Sequence, residues 1–519
     1  MKTLNRILTK YSNWFLIAFF VAALILRWWY LPQKAISFAY DQARDAFVVQ
    51  DLLRGNLKIL GPPVSGVPGL FHGVLYYYVI APAYLFGHGN PVVVAYFLSF
   101  VSSLGVFVVF FLTKLLTKNK IPALIASLIF AFSFEATQYA NFLINASMAV
   151  WFVPVFYVGL YLWITKSNKW APIIAGLGLG LSIQSEVALS YHIFPLIIWL
   201  LVFKDKIVKK DLIIFILSFM IGISSMILAE IKFGLTGTSG ILYLLTGQDG
   251  IVQTKTLSDY IVTLINQSGK VFAYSLYPKN IVFGGLLGFT MIISSIFLNL
   301  NEIKNKILTW ETFLTVWIFA YSVALPFGGW NMKHILVGVA PAICIFAGIF
   351  IWKYFSNYKF ILSIALIIVL FANLSTILKE NKNGQTIFPL QPDLILRNET
   401  SLVDYTYQRS GNEPFSISSL TSPLFVNTLW SYLYNWYGQS KYGYLPSWIG
   451  RDQIGQLGNN LKFAPSNLTH HFFIIEPTNG IPSLYIDYAK GDQDSISKFY
   501  DQRTFGELVV QERIIKNEK

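Results

Sequence analysis

Long apolar runs alternate with short polar segments along most of the chain. A membrane-spanning helix needs about twenty apolar residues, and fewer where a short helix packs inside a bundle. By this rule the sequence predicts about eleven spans and an α-helical polytopic membrane protein. The predicted spans are residues 13–31, 91–113, 121–134, 147–165, 171–184, 188–203, 212–230, 281–299, 308–326, 335–352 and 359–378.

A further apolar run, residues 72–88, decides on which side of the membrane every later segment lies. If it crossed the membrane, the Lys clusters between the later spans would face outside, against the bias of Lys and Arg towards the cytoplasm. These clusters are Lys114/Lys118/Lys120, Lys166/Lys169, Lys204/Lys206/Lys209/Lys210, Lys304/Lys306 and Lys353/Lys359. We therefore interpret 72–88 as an interfacial or re-entrant segment and expect a cytoplasmic N-terminus.

The composition changes at about Glu380, where Pro and polar residues replace the apolar runs. Residues 1–379 are predicted to form the transmembrane module, and residues 380–519 a small soluble α/β domain outside the cytoplasm. The pattern predicts helices over 394–408 and 424–437, and strands over 414–420, 470–475 and 506–514.

The composition agrees with a membrane location. Of the 519 residues, 55% are hydrophobic and 13% charged, with a mean hydropathy of +0.54. The net charge of +13 comes from Lys and Arg in short clusters between apolar runs, so we expect no nucleic-acid partner. Cys344 is the single cysteine, which excludes an intramolecular disulfide and a cysteine-based metal site.

The unusual polar residues fall on the predicted external side, and most stand in the first external segment, 32–90. Charged groups held beside a membrane are costly, and they mark a candidate site. This segment contains Asp41, Arg44, Asp45 and His72. Residues 231–280, rich in Gly, Ser and Thr, are long enough to form a loop that acts as a lid over such a site.

These residue types suit the transfer of a sugar from a lipid-linked phosphate to a hydroxyl. Direct displacement at a sugar carbon needs one general base and cationic groups that stabilise the leaving phosphate. Asp41 is the expected base. The candidates for the phosphate are His72, Lys333 and His334, with Arg44 or Lys232; Arg44 is also spaced to pair with Asp41 or Asp45 on a helix.

The first external segment also resembles a known enzyme family. Residues 40–46 read Tyr-Asp-Gln-Ala-Arg-Asp-Ala, and after Gly61-Pro62 residues 69–78 read Gly-Leu-Phe-His-Gly-Val-Leu-Tyr-Tyr-Tyr. This pattern resembles the first external loop of the GT-C membrane glycosyltransferases, in the branch of the protein O-mannosyltransferases and the lipid A aminoarabinose transferases. The resemblance implies that Asp41 is the catalytic base. It also implies that His72 stands where the family has a basic residue that contacts the lipid phosphate.

Two weaker matches extend the resemblance over about residues 10–380. Tyr139 to Ser147 resembles the second external loop, where Asn145 matches but Asn141 replaces an Arg. Lys333-His334-Ile-Leu, with Pro341 beyond, resembles the motif that opens a late span. The residues expected to bind substrates are Arg44, Asp45, His72, Tyr76, Asn145, Glu230, Lys333 and His334.

The resemblance implies a polyprenyl-phosphate-linked hexose or pentose as donor and inversion at the anomeric carbon. The expected acceptor is an exported protein, a lipid or a cell-envelope glycan, and the expected location is the plasma membrane, among its lipids. No cofactor is expected. No metal is expected either, because the second external loop has no acidic pair to join Asp41.

Other interpretations remain open. A transporter or flippase of a lipid-linked saccharide would show polar residues in the middle of its spans and paired repeats. A non-catalytic scaffold would not need Asp41. Asp41 itself suits the start of a helix as a capping residue, and the run Tyr76 to Tyr78 suits an aromatic belt at the membrane surface.

Overall fold

The structure is a computed structural model, and it describes residues 2–64, 67–246, 256–327, 333–388, 391, 393–450, 461–465 and 468–516. For residues 2–5, 243–246, 326–327 and 333–334 the description covers the backbone alone. The α-helices are α1 Lys2–Lys10, α2 Ser12–Trp28, α3 Tyr40–Leu53, α4 Leu75–Phe86, α5 Pro91–Ser103, α6 Gly105–Thr117, α7 Lys120–Phe132, α8 Phe134–Ala140, α9 Ala149–Ile164, α10 Ala171–Ser185, α11 Ile193–Val202, α12 Lys209–Gly222, α13 Ser224–Phe233, α14 Thr236–Thr246, α15 Leu257–Leu276, α16 Ile281–Leu298, α17 Leu300–Asn305, α18 Trp310–Ile318, α19 Ala340–Phe355, α20 Lys359–Glu380, α21 Leu396–Arg409, α22 Thr428–Leu433, α23 Gln439–Tyr442 and α24 Ser483–Ile496. Short 3₁₀ helices are Leu31–Gln33, Asn145–Met148, Val187–His192, Lys204–Lys206, Ala320–Phe327, Lys333–Leu336 and Asn381–Asn383, and Tyr434–Gly438 is a π-helical turn.

The predicted spans coincide with apolar helices. Within the described ranges, five helical stretches are long and apolar enough to cross a membrane, and two bent pairs bring the number up to seven. The five stretches are Ser12–Gln33, Pro91–Thr117, Asn145–Ile164, Ile281–Leu298 and Lys359–Asn383. The other predicted spans fall on shorter apolar helices, Ala171–Ser185, Val187–Val202, Trp310–Leu325 and Ala340–Phe355. The polytopic helical fold class is therefore confirmed.

Two pairs of consecutive helices are sharply bent, and the second pair covers the predicted span 212–230. Helices α7 and α8 meet at an angle of 57°, and α12 and α13 meet at 66°. The first break lies at Ser133, whose backbone is extended and whose Oγ accepts a hydrogen bond from the Ala136 N–H. Ser133 therefore ends one helix and caps the next, as Ser commonly does.

Helix α4 lies within the run 72–88 and is short. Its 12 residues give a length of about 18 Å, less than the roughly 30 Å of a bilayer core. Helices α3 and α4 pack against each other and share a hydrophobic core with the C-terminal domain, including Tyr432 and Trp430. The interpretation of 72–88 as an interfacial or re-entrant segment stays a prediction.

The described part of the segment 231–280, residues 231–246 and 256–280, is more helical than a loop. It contains α14 and α15, and α15 packs along α16 through close glycine contacts. A Cβ on Gly284 would lie 2.6 Å from the Ala273 Cα, so only Gly allows this approach. The second half of the predicted lid is therefore part of the helical bundle, and a lid role for α14 stays a prediction.

The C-terminal domain contains a five-stranded sheet. The strands are β1 Ser416–Leu420, β2 Ser447–Trp448, β3 His470–Ile475, β4 Ser497–Phe505 and β5 Leu508–Ile515, in the order β2-β1-β3-β5-β4. Strands β1, β2 and β3 are parallel, and β5 runs antiparallel to β3 and β4. The predicted strands over 414–420, 470–475 and 506–514 and the predicted helix over 394–408 are confirmed within a few residues.

Other parts of this domain differ from the prediction. The helix predicted over 424–437 begins later, at Thr428. Helix α24 and strand β4 were not predicted. Most of their residues are exposed, so they lack the apolar periodicity that would indicate them.

Candidate active site

Asp41 lies in the first turn of α3, where the chain leaves the core and becomes helical. The Ala39 N–H donates to the Gln42 side chain at 2.9 Å, which satisfies a backbone donor at the helix start. Arg44 follows one turn later, and its Nη1 donates to Asp41 Oδ1 at 2.7 Å. The Asp41 side chain is 59% exposed, whereas that of Arg44 is 9% exposed. A buried guanidinium thus holds one oxygen of an exposed carboxylate.

Asp45 holds Arg44 from the other side. Its Oδ1 accepts from Arg44 Nη2 at 2.8 Å, from Arg44 Nε at 3.0 Å and from the Tyr77 hydroxyl on α4 at 3.1 Å. Burial raises the pKa of Asp45 to about 6, although Arg44 opposes the rise. The pKa of Arg44 is raised as well, because the Asp45 and Asp41 carboxylates outweigh the effect of its burial. Arg44 therefore stays charged and bridges the two carboxylates.

His72 lies in a tight segment just before α4. Its backbone N–H donates to the Pro62 carbonyl at 2.8 Å, and the Gly73 N–H donates to the Gln184 carbonyl at 2.8 Å. A Cβ on Gly73 would lie 2.3 Å from Gln184 Oε1, so a larger residue would push this segment away. The glycine therefore brings the His72 segment against the end of α10.

The His72 side chain contacts the turn between α10 and the next helix. Its Nδ1 accepts from the Val187 N–H at 3.2 Å and lies 3.7 Å from Glu186 Oε1, too far for a hydrogen bond. Both side chains are buried. Burial raises the pKa of Glu186 to about 8, so this carboxyl carries little negative charge at neutral pH.

A cavity of about 220 Å³ opens beside His72. Its walls come from the segment before α4, the end of α10, α13 and the start of α14. The lining is mostly apolar, with His72 and Glu230 among the few polar side chains. The lining residues are Ile59, Leu60, Gly69, Leu70, Phe71, His72, Ile183, Val187, Ser190, Met226, Ala229, Glu230, Thr236, Gly237, Thr238 and Ile241.

Glu230 caps α14. Its Oε1 accepts from the Gly237 N–H at 2.9 Å, and its Oε2 accepts from the Thr238 N–H at 3.0 Å and from the Thr238 hydroxyl at 2.8 Å. A carboxylate at a helix N-terminus is favourable for the helix. Glu230 therefore fixes the wall that α14 gives to the cavity.

The other predicted residues lie around these two groups. Asn145 is buried, and its side chain donates to the Ser185 carbonyl, next to Glu186. Tyr76 is buried beside Tyr77, with ring centroids 6.1 Å apart. Lys333 and His334 begin a 3₁₀ helix, and their side chains lie outside the described residues.

The structure thus gathers most of the predicted site into two groups, and Asp41 is not among the residues that line the cavity. The first holds Asp41, Arg44 and Asp45 on α3, and the second holds His72 and Glu230 at the cavity. Helix α4 connects them, since it begins just after His72 and carries Tyr77 on its first turn.

Three contacts were not predicted. They are those of Tyr77 with Asp45, of Gln184 with Gly73 and of Glu186 with His72. The sequence placed Tyr77 in an aromatic run and Glu186 just after the predicted span 171–184. Neither position carried a signal for its partner.

Comparisons with known proteins support the fold. No protein-family model matches the chain. No curated protein matches it either. The crystal structure of ArnT from Cupriavidus metallidurans bound to undecaprenyl phosphate is similar, with a TM-score of 0.59 and 11% identity over 96% of this chain and 98% of that chain. The apo structure of the same ArnT gives a TM-score of 0.60 and 10% identity over the same shares.

The arabinofuranosyltransferase AftD from Mycobacteria is also found, with a TM-score of 0.40 and 13% identity over 98% of this chain and 42% of that chain. The ArnT matches run over nearly the whole of both chains, and they include the transmembrane helices and the C-terminal domain. The chain therefore has the GT-C fold, as the resemblance of its first external segment implied.

Proposed function

We propose that the chain is a membrane glycosyltransferase that uses a polyprenyl-phosphate-linked hexose or pentose. Asp41 takes the proton of an acceptor hydroxyl, and the acceptor oxygen forms a bond to the anomeric carbon. The bond from that carbon to the phosphate oxygen breaks, and the polyprenyl phosphate leaves. Attack opposite the leaving group inverts the anomeric configuration. The acceptor is a protein, a lipid or a cell-envelope glycan.

The pairing of Arg44 with Asp41 carries this proposal. A general base must be open to its substrate and fixed in direction. Arg44 binds only Oδ1 of Asp41, and Oδ2 accepts no hydrogen bond from any described residue. A purely capping Asp would direct its carboxylate at the backbone N–H groups of its helix. Asp41 instead presents an exposed carboxylate that a buried guanidinium orients.

The cavity beside His72 supports a lipid-linked donor. Its apolar lining suits a prenyl chain, and His72, one of its few polar lining residues, can donate a hydrogen bond to a phosphate. The raised pKa of Glu186 removes most of the negative charge that this carboxyl would otherwise place beside His72. ArnT, which has the same fold, has been crystallised with undecaprenyl phosphate.

The other predicted residues take supporting roles in the proposal. Asp45 holds Arg44, Asn145 holds the turn that carries Glu186, and Glu230 holds α14. Tyr76 packs behind the site, and Lys333 and His334 are assigned to the phosphate. The N-terminus is assigned to the cytoplasm, and α3, the cavity and the C-terminal domain to the outer face.

The test is sugar transfer in membranes that contain the wild type or Asp41→Asn at matched expression, with a radiolabelled pool of polyprenyl-phosphate sugars. We expect Asp41→Asn to lose transfer by about 10²–10⁴-fold and to keep donor binding. Unchanged transfer would remove Asp41 from the mechanism. If the wild type moves labelled lipid-linked saccharide across the membrane but transfers no sugar, the transporter interpretation holds instead.

A further inference from the structure

The C-terminal domain makes direct contact with the segment that leads into α3. The Phe38 N–H donates to the Leu394 carbonyl at 3.2 Å, and the Leu396 N–H donates to the Ile36 carbonyl at 3.0 Å. The Ser37 N–H donates to the Gln385 side chain at 2.7 Å. These bonds fix the backbone three residues before Asp41, so the start of α3 depends on chain that follows the last span.

Tyr432, on α22, extends this contact along α3 and α4. Its ring lies 5.6 Å from the Phe38 ring, just before α3, and 5.2 Å edge-on from the Phe47 ring in the middle of α3. Its hydroxyl donates to the Gly89 carbonyl, just after α4, at 2.6 Å. Tyr432 is fully buried. One side chain of the C-terminal domain therefore touches both ends of the α3–α4 pair.

A buried polar network around His471 makes its contacts within the domain. His471 on β3 contacts the hydroxyls of Ser416 and Ser418 and the Gln493 side chain, all within the domain. Tyr434, two residues after Tyr432, is also fully buried, and its hydroxyl contacts Thr406 on α21 at 2.9 Å. Of the two buried tyrosines, Tyr432 is the one whose contacts reach Phe38, α3 and the end of α4.

We propose that the C-terminal domain positions the catalytic helix, and that Tyr432 is the positioning residue. The inference rests on the proposed function of Asp41 as the base. Asp41 is exposed, and the described residues hold its carboxylate only through Arg44 on the same helix. Its place relative to the donor cavity therefore follows the place of α3, which Tyr432 and the 36–38 segment hold together with the packing of α3 on α4.

The experiment compares Tyr432→Phe and Tyr432→Ala with Tyr434→Phe in the purified full-length protein. Tyr434→Phe is the matched control, because it removes a buried tyrosine hydroxyl from the same helical stretch without touching α3 or α4. Hydrogen–deuterium exchange is measured first over peptides covering residues 36–50, 75–90 and β3. This readout needs no substrate, so it stands even if the proposed function fails.

We expect Tyr432→Phe to raise exchange at residues 85–90, and Tyr432→Ala to raise it in addition at 36–50, while exchange in β3 stays at the wild-type level. Equal exchange in the Tyr432 and Tyr434 variants over these peptides would overturn the proposal. So would raised exchange spread evenly over the domain, because it would show that Tyr432 serves the domain's own stability.

Sugar transfer is then measured at varied donor concentration. We expect Tyr432→Ala to lower kcat about tenfold with the donor KM within twofold of the wild type, since the cavity is intact and the base is misplaced. Tyr434→Phe should keep both constants. A raised donor KM with unchanged kcat would overturn a role in positioning Asp41. If the wild type transfers no sugar but the variants show the expected exchange pattern, the proposed chemistry is rejected. The role of Tyr432 in holding α3 and α4 then still stands.

Discussion

Arg44 and Asp45 form a two-donor ion pair in the core between α3 and α4, with Nη2 and Nε of Arg44 at 2.8 and 3.0 Å from Oδ1 of Asp45. The remaining nitrogen, Nη1, reaches out to Asp41. A planar guanidinium can serve both carboxylates at once because its donors point in fixed, different directions. Asp45 therefore orients the Arg44 guanidinium so that its Nη1 points towards Asp41.

The first prediction follows from this planar geometry. Arg44→Lys keeps the positive charge, but an ammonium cannot hold both carboxylates in the same fork. A hydrogen bond to a charged group contributes about 1.5–3 kcal/mol, so we expect kcat for sugar transfer to fall about 10–100-fold with little change in the donor KM. Arg54→Lys, at the exposed far end of the helix, is the control and should leave kcat and the donor KM unchanged. Full activity of Arg44→Lys would contradict the bridging role.

The second prediction concerns pH. The pKa of Asp45 is about 6, so its negative charge is lost below that pH and its hold on Arg44 weakens. We expect kcat to fall on the acid side with an apparent pKa near 6. Asp45→Asn should be slow, and its kcat should not change with pH in this range. A pH profile of Asp45→Asn that matches the wild type would show that another group titrates.

The sign of the stability effect separates this loss from unfolding. Burial raises the pKa of Asp45 above its ordinary value of 3.8, so its contribution to folding is complete below that value and is lost as the pH rises through about 6. Protonation of Asp45 thus favours the fold. Activity should therefore fall from pH 7 to pH 5, whereas thermal unfolding should show no loss of stability from Asp45 over the same range.

The sequence predicted those parts of the molecule that depend on local pattern. Apolar runs marked the helices of the bundle, and the spacing of Asp41 and Arg44 on one helix indicated their pairing. Helix α15 was missed because polar residues such as Asn266 and Lys270, which are exposed in the structure, break up the long apolar run by which the spans were predicted.

Contacts between distant parts of the chain could not be predicted. His72 meets Val187 across 115 residues, and Tyr432 meets Gly89 across 343 residues. Each contact depends on how several helices pack. The apolar periodicity of one segment does not indicate which distant segment it will contact. The cavity beside His72 has the same origin, since its walls come from four separate segments.

The third prediction tests the cavity. His72→Ala removes one of the few polar groups of its lining, and we expect the donor KM to rise about 10-fold, the effect of one charge-assisted hydrogen bond. His88→Ala is the control, because His88 is exposed just after α4, away from the cavity lining. Binding of a polyprenyl phosphate to the purified protein measures the same effect without turnover. Equal affinity in the wild type and His72→Ala would place the phosphate elsewhere.

The last prediction concerns two buried carboxyl groups of the C-terminal domain. Glu476 accepts hydrogen bonds from the Ser422 N–H and from Trp430 Nε1, and burial raises its pKa to about 7. Glu399 is fully buried, its two carboxyl oxygens accept no hydrogen bond within the described part of the chain, and burial and the nearby Glu476 raise its pKa. Both groups are therefore favoured in the neutral form.

The protein should consequently lose stability as the pH rises. The pKa of Glu476 is about 7 in the folded protein and 4.5 ordinarily, so its contribution to the free energy of unfolding is complete below pH 4.5. This contribution, about 3 kcal/mol, is lost as the pH rises through 7. We expect thermal unfolding of the full chain to begin several degrees lower at pH 8.5 than at pH 5.5, with the C-terminal domain opening first in hydrogen exchange. Glu476→Gln should flatten this dependence, because an amide cannot ionise. Glu413→Gln, at an exposed carboxyl of the same domain, should leave it unchanged. A pH dependence that persists in Glu476→Gln and in Glu399→Gln would assign it to other groups.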